Sequence, residues 1–477
     1  MGNNSLQERL GEYAASGALP MHMPGHKRNM TAAPFLAPLG GGIDITEIDG
    51  FDDLHHAGGL LREEMDRAAA LWGAKRTFFL VGGSTCGLLS AIYALGLGGG
   101  KVIVARNCHK SVYYGLELCG LTPQWLRPDW CAPLGIWGSV PPSAVEAALD
   151  EAPNARFVLL TSPTYEGVLS DIAAIAALCH ARRVPLIVDE AHGAHLGFGG
   201  FPAGAVKLGA DLAVQSAHKT LPSLTQTALL HLSGELVRAE EVERALNIFE
   251  SSSPSYILLA SLSGCVRWME RPDALSLWQA GLSAFDRELG RLEHLKVPNH
   301  RREAEAAPQA GKPYPGVFGW DRSKIMVLSP GFALMDELRR RFGIELEMAQ
   351  PHFALAMTGA GDDERSLTRL ARALCALDRD WGGGDFPVPS PPPAFPPARM
   401  DLQAALCTPW EEVPPEQTAG RVCAQYLWVY PPGVPLAAPG EELTPALLER
   451  LAALAKGGAE VRCAPRGMPG TIRVTRQ

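Results

Sequence analysis

No apolar run in this sequence approaches the roughly 18 residues that a membrane-spanning helix needs, which excludes a helical membrane protein. The amino terminus, "MGNNSLQERLGEY", has no apolar core of the kind a secretory signal carries. Leu6 stands where an N-myristoylation motif wants Ser or Thr. The ten cysteines among 477 residues contain no CxxC spacing and are too sparse for a disulfide framework. Reduced, mostly buried thiols are the expectation, and with them a cytoplasmic location. A basic excess is also missing. The formal net charge of -8 argues against a nucleic-acid partner. The tetrapeptide "DEAH" (189–192) suggests a nucleotide-driven motor, but that needs an upstream GxxxxGK[ST] loop. The nearest match, "LGLGGGKV", has Leu95 for the first Gly and Val102 after Lys101, so this class is excluded. His192 and His195 find no third ligand at convincing spacing, and no metal is expected.

What is present is alternation. After a short amphipathic helix at 3–16 and an irregular stretch rich in Gly and Pro, strand-like runs begin near residue 60. They are "TFFLVGG", "KVIVAR", "RFVLLTSP", "PLIVDEAH", "DLAVQSAH" and "TALLHLSG", separated mostly by segments of helical spacing. Continuous apolar strands alternating with helices predict an α/β fold with a mostly parallel sheet covered on both faces. Ligands of such sheets bind at the carboxyl ends of the strands. The expected layout is an N-terminal arm (1–58), a large domain (59–295) and a smaller α/β domain (296–385). A Pro-rich linker (386–399) and a C-terminal domain (400–477) follow.

Polar clusters follow these strands. Asp189, at the end of "LIVD", reads alone as a cap for the next segment. It lies 30 residues before Lys219, a separation that fits one strand-helix-strand unit and puts both at one sheet edge. A lysine that condenses with an aldehyde and a buried carboxylate that keeps a ring nitrogen protonated are what pyridoxal phosphate demands. "LVGGSTCGLL" supplies two glycines, Ser84 and Thr85 at a helix start, an anion site by geometry. Ser216 and His218 can donate to the same phosphate, and His109, after "KVIVAR", can lie flat on the ring.

With these residues placed, the sequence resembles the Orn/Lys/Arg decarboxylases of the major group, pyridoxal-phosphate enzymes of the aspartate aminotransferase fold (fold type I). The matching stretches include "HMPGHKR", "DITEIDGFDDLHH", "RTFFLVGGST", "TSPTYEGVLSDI", "VDEAHGAHLGF", "QSAHKTLPSLTQ" and "GRVCAQYLWVYPPGVPLAAPGE", in the family's order. The resemblance implies a seven-stranded large-domain sheet and a catalytic set of Lys219, Asp189 and His109. Lys219 would carry the cofactor, Asp189 would face the pyridine nitrogen and His109 would stack on the ring. Ser84, Thr85, Ser216 and His218 would hold the phosphate, and His192 would support the phenolic oxygen side. It also implies a homodimer or higher even oligomer and the decarboxylation of arginine, lysine or ornithine in polyamine biosynthesis. The chain is expected to be the short form without the N-terminal wing domain. One departure is "VGGST", with Gly82 where relatives generally carry Asn. The stretch "HRREAEAAPQAGKPYPG" reads as a lineage-specific loop.

The substrate's distal cation needs a carboxylate, and Glu47, Asp49, Asp52, Asp53, Glu441 and Glu442 are the candidates. Other reactions on the same cofactor, transamination or a lyase acting at Cβ, use the same lysine and aspartate. A transaminase also needs an arginine clamp, and no motif places one. A non-catalytic regulator that binds the cofactor or a polyamine is the alternative of another class. It would normally have lost one of Lys219, Asp189 and His109.

Overall fold

The computed structural model describes residues 4–289, 292–298, 314–381, 389, 391–392, 394–430, 433–456, 458–465, 468 and 470–476. Most of the expected lineage-specific loop and part of the Pro-rich linker lie outside the described residues. The main sheet has seven strands: β1 (Arg76–Leu80), β2 (Gly100–Ala105), β3 (Leu121–Leu126), β4 (Val158–Thr161), β5 (Leu186–Asp189), β6 (Leu212–Gln215) and β7 (Ala228–Leu232). Their spatial order is β1-β7-β6-β5-β4-β2-β3. Pairing is parallel from β3 to β6, while β7 is antiparallel to both β6 and β1. Six strands therefore run one way and one runs against them.

Burial on both faces explains the continuous apolar runs. Val102, Leu159, Ile187 and Val214 point into one core, and Ile103, Leu160, Val188 and Ala213 into the other. Side chains alternate along a strand, so a sheet covered twice needs apolar residues at every position. Helices Gly83–Gly96 and Lys110–Cys119 pack together on the first face, and Pro142–Glu151 and Ile172–Ala181 on the second.

The expected helix between β5 and β6 is not there. Residues 190–211 form a series of turns. Gly197, Gly199 and Gly200 take positive φ there, a conformation that breaks a helix before it can propagate. The inference that Asp189 and Lys219 share one sheet edge survives, because β5 and β6 are adjacent and parallel.

A three-stranded antiparallel sheet (Lys324–Leu328, Phe353–Met357, Met348–Gln350) carries the helices Gly331–Phe342 and Glu364–Asp380 beside it. A second small sheet, around Tyr426–Tyr430, packs with helix Pro445–Lys456 near the carboxyl terminus. All ten cysteines are free thiols, seven of them buried. Among the described residues, no helix is long and apolar enough to cross a membrane.

Candidate active site

The loops that leave β1, β2, β4, β5 and β6 emerge at one edge of the sheet, and a cavity of about 710 Å³ opens there. Ser84, Asn107, His109, Asp189, His192 and Lys219 all line it. Lys219 sits in the short turn of helix Ala217–Thr220 that β6 feeds, with Nζ 3.0 Å from His192 Nε2. Burial pushes the Lys219 ammonium below its usual range; Asp189 opposes this, Lys324 adds to it, and Glu347 opposes it. Asp189 is 2% exposed at the end of β5, and its carboxylate accepts the Ala191 N–H at 3.2 Å. Burial raises its pKa, and the charge of Lys219 pulls it back.

Two neutral imidazoles flank this pair. Burial takes His109 down to about 4, with Lys219 and Lys110 adding to the effect. Its Nδ1 accepts the Ser111 N–H at 3.3 Å and so caps the helix Lys110–Cys119. That bond fixes the ring over the mouth of β2. Burial likewise holds His192 well below its ordinary value, with the charges of Lys219 and Lys324 adding to it. The Tyr165 ring packs against it at 4.6 Å.

Gly82 and Gly83 turn the chain from β1 into the 14-residue helix Gly83–Gly96, and Gly83 needs its positive φ of 73°. The Glu250 carboxylate accepts the N–H groups of Val81 and Gly82 at 3.0 and 2.9 Å. It fixes the loop from behind and leaves the first-turn amides of the helix for an anion. A Cβ at residue 82 would lie 2.8 Å from Cys86 Cβ and 3.2 Å from the Glu250 carboxylate. A side chain at residue 82 therefore has no room between Cys86 and Glu250. Gly82→Ala is expected to distort the loop at an overpacking cost of about 1–3 kcal/mol. Cofactor affinity should fall about tenfold, read by absorbance titration of apoprotein. Unchanged affinity would remove the loop from the cofactor site.

The other expected phosphate ligands are distributed unevenly. Ser216 is fully buried and its Oγ has no partner among the described residues. His218 donates through Nδ1 to the Thr227 carbonyl at 2.8 Å. Thr85 is exposed, and neither it, Ser216 nor His218 lines the cavity.

Of the six carboxylates proposed for the substrate's cation, none lines this cavity. Glu441 is committed elsewhere: buried, it pairs with Arg106 at 3.0 Å, tying the carboxyl-terminal segment to the end of β2. Glu442 pairs with Arg399. Asp52 accepts the N–H groups of Gly59 and Leu61 at the start of helix Leu60–Trp72, and Asp53 caps the turn at Leu54–His56. The cavity has its own acids instead, Glu166 and Glu347, which the sequence reading missed. Glu166 sits in the expected motif "TSPTYEG", so its strand-end position was the available signal. Glu347 lies outside every motif. Arg450, from the carboxyl-terminal helix, also lines the cavity, and its Nε has no partner among the described residues.

Comparison with known proteins accords with this geometry. The model of the Orn/Lys/Arg decarboxylase major domain matches residues 5–295, and that of the family's C-terminal domain matches 390–461. The chain belongs to the Orn/Lys/Arg decarboxylase family. An arginine decarboxylase of Halalkalibacterium halodurans is 31% identical, covering 98% of this chain and 96% of its own length. The uncharacterized protein YaaO of Bacillus subtilis is 33% identical over 95% of this chain and 94% of itself. Among solved structures, the lysine decarboxylase LdcF of Francisella novicida superposes with a TM-score of 0.82 at 20% identity. It covers 99% of this chain and 81% of its own. The fold is that of the pyridoxal-phosphate enzymes of fold type I, and this Orn/Lys/Arg decarboxylase is a pyridoxal-phosphate-dependent enzyme.

The residues of this decarboxylase fit that cofactor. Ser216 Oγ, Asn107 Oδ1, Thr161 Oγ1 and His192 Nδ1 are buried polar atoms without partners among the described residues. Unpaired buried polar atoms cost free energy, and a phosphorylated, polar ring offers them partners. When bound, pyridoxal phosphate supplies an aldehyde for the amine and a ring that takes up electrons from the substrate.

Proposed function

We propose that the chain converts a basic amino acid to its amine and carbon dioxide, with arginine the preferred substrate. The observation that carries this is one cavity holding Lys219, Asp189 and two carboxylates of its own. In this reading Lys219 bears the cofactor, Asp189 keeps a proton at its ring nitrogen, and the neutral His109 covers its face. Ser84 and the start of the helix Gly83–Gly96 hold the phosphate, with Ser216, Thr85 and His218 as the remaining phosphate ligands. His192 would support the phenolic oxygen side, and its Nε2 shares a proton with Lys219 Nζ. Apolar walls that include Trp130, Trp137 and Phe353 exclude water, which favours loss of a charged carboxylate as neutral carbon dioxide. Lys219 Nζ would give Cα the proton that replaces the lost carboxylate. The arginine preference rests on the full-length likeness to arginine decarboxylases.

Glu347 is the proposed partner of the substrate's distal cation. It is exposed at the cavity, accepts a hydrogen bond from the Tyr165 hydroxyl, and has the greater claim because burial raises Glu166 toward its neutral form. Glu347→Gln is expected to raise KM for arginine about tenfold or more while changing kcat less, the signature of lost uniform binding. An unchanged KM would return the choice to Glu166.

The same reading places the enzyme in the cytoplasm, in polyamine biosynthesis, as a homodimer or higher even oligomer. Leu19, Met21, Met23, Phe35 and Leu39 of the N-terminal arm are all exposed, an apolar surface that a second copy would cover. The domain limits at 58, 295, 385 and 399 are part of this proposal. One observation favours transamination as a second reading: Arg450 on the cavity wall is available to a carboxylate. Arginine, lysine and ornithine supplied with the cofactor decide between them. Carbon dioxide released without keto acid, fastest from arginine, supports decarboxylation; keto acid without carbon dioxide supports transamination.

A further inference from the structure

Behind the cavity lies a second buried charge cluster that the reaction as described does not use. Lys324, at the start of strand Lys324–Leu328, is completely buried. Its ammonium donates to Ser323 Oγ at 2.8 Å, to Asp321 Oδ2 at 3.3 Å and to the His192 carbonyl at 3.4 Å. Asp321, equally buried, accepts the Ser323 N–H at 2.9 Å and meets His195 Nε2 at 3.1 Å. The Asp321 N–H donates in turn to the Gly167 carbonyl at 2.8 Å. Gly167 has no room for a side chain, because a Cβ there would stand 2.9 Å from Lys324 Cγ.

These contacts join the small sheet to the 192–195 turn after β5. His192 therefore touches two lysines, offering its ring to Lys219 Nζ and its backbone carbonyl to Lys324 Nζ. A buried ammonium is destabilising unless its partners are well placed. A purely structural site could use an apolar side chain more cheaply.

We propose that Lys324 is a positioning residue for the reaction: its buried ammonium anchors the His192 turn against Lys219, and its charge, balanced by Asp321, sets the electrostatic environment of the Lys219 nitrogen. This rests on Lys219 being the amine that bears the cofactor. The charged and titratable groups facing Lys219 are Asp189, Glu347, His109, His192 and Lys324. Burial lowers the Lys219 pKa, and the Lys324 charge lowers it further against Asp189 and Glu347. Lys324 thus favours the unprotonated nitrogen, and Asp321, its ion-pair partner at 3.3 Å, carries the opposing charge.

The test is a pH titration of the visible spectrum of the holoenzyme, whose midpoint reports proton loss at the Lys219 nitrogen. Lys324→Met should raise the midpoint by about one pH unit, and Asp321→Asn should lower it by a comparable amount. Lys324→Arg keeps the charge and should leave the midpoint in place. Shifts of opposite sign separate charge from packing, since damage to packing alone would not give the two variants opposite signs. If Lys324→Met does not accumulate as folded protein, Asp321→Asn decides: a lowered midpoint supports the proposal and an unmoved one overturns it. Borohydride reduction of the wild-type holoenzyme, followed by peptide mapping, accompanies the titration. A label on Lys219 with unmoved midpoints overturns this inference alone. A label on another lysine overturns the assignment of Lys219 and this inference with it.

Discussion

Lys219→Ala is expected to lower kcat by more than about 10⁴-fold, the scale on which enzymes lose activity when a covalent group is removed. The size follows from the cavity's composition. Lys219 is the lysine on its wall, and Lys324, the nearby alternative, is held by Ser323, Asp321 and the His192 carbonyl behind it. Among the described residues, no second lysine lines the cavity. Ala is a good helix former and is expected to leave the turn Ala217–Thr220 intact, so the variant should fold and retain cofactor through the phosphate loop. Single-turnover kinetics and the visible spectrum measure this. Activity within tenfold of wild type would assign the amine elsewhere.

Asp189→Asn is expected to reduce kcat on the order of 10³-fold, the cost of removing one preorganised electrostatic partner in a dry site. Asn matches Asp in shape, and the Ala191 N–H can still donate to the side-chain oxygen, so stability should change little. In the proposed role, what is lost is the negative charge that would keep a proton at the ring nitrogen. Desolvation raises the Asp189 pKa, and the charge of Lys219 and the Ala191 N–H oppose that shift. Steady-state kinetics and cofactor content together check the result. A loss of less than about tenfold with full cofactor content would contradict the assigned role.

The parts of the molecule legible in the sequence were those written in local pattern. Continuous apolar runs such as "KVIVA" and "LIVD" announced a sheet buried on both faces, and the residues just after them announced the cavity. Lys219, Asp189, His109, His192 and Ser84 meet there because the strands they end or follow all run in the same direction. The reversed direction of β7 was not legible, because an apolar run has no polarity along the chain. The missing helix at 190–211 was lost to a spacing argument that ignored the glycines within it. The substrate-facing acid was missed for a different reason. Glu347 reaches the cavity only when the small sheet packs against the large one, and no periodicity in sequence encodes that distance. Glu441 looked free beside "APG" because its partner, Arg106, lies 335 residues away. Lys324 belongs to no motif, and tertiary packing alone makes it a buried cation.

The central claim is that this cavity, through Lys219, holds the cofactor. Its most direct test is borohydride reduction of the wild-type protein with bound pyridoxal phosphate, followed by digestion and mass spectrometry. The account predicts a single reduced adduct, on the peptide that contains "QSAHK", at Lys219. An adduct on any other lysine, or none while decarboxylation proceeds, would contradict it.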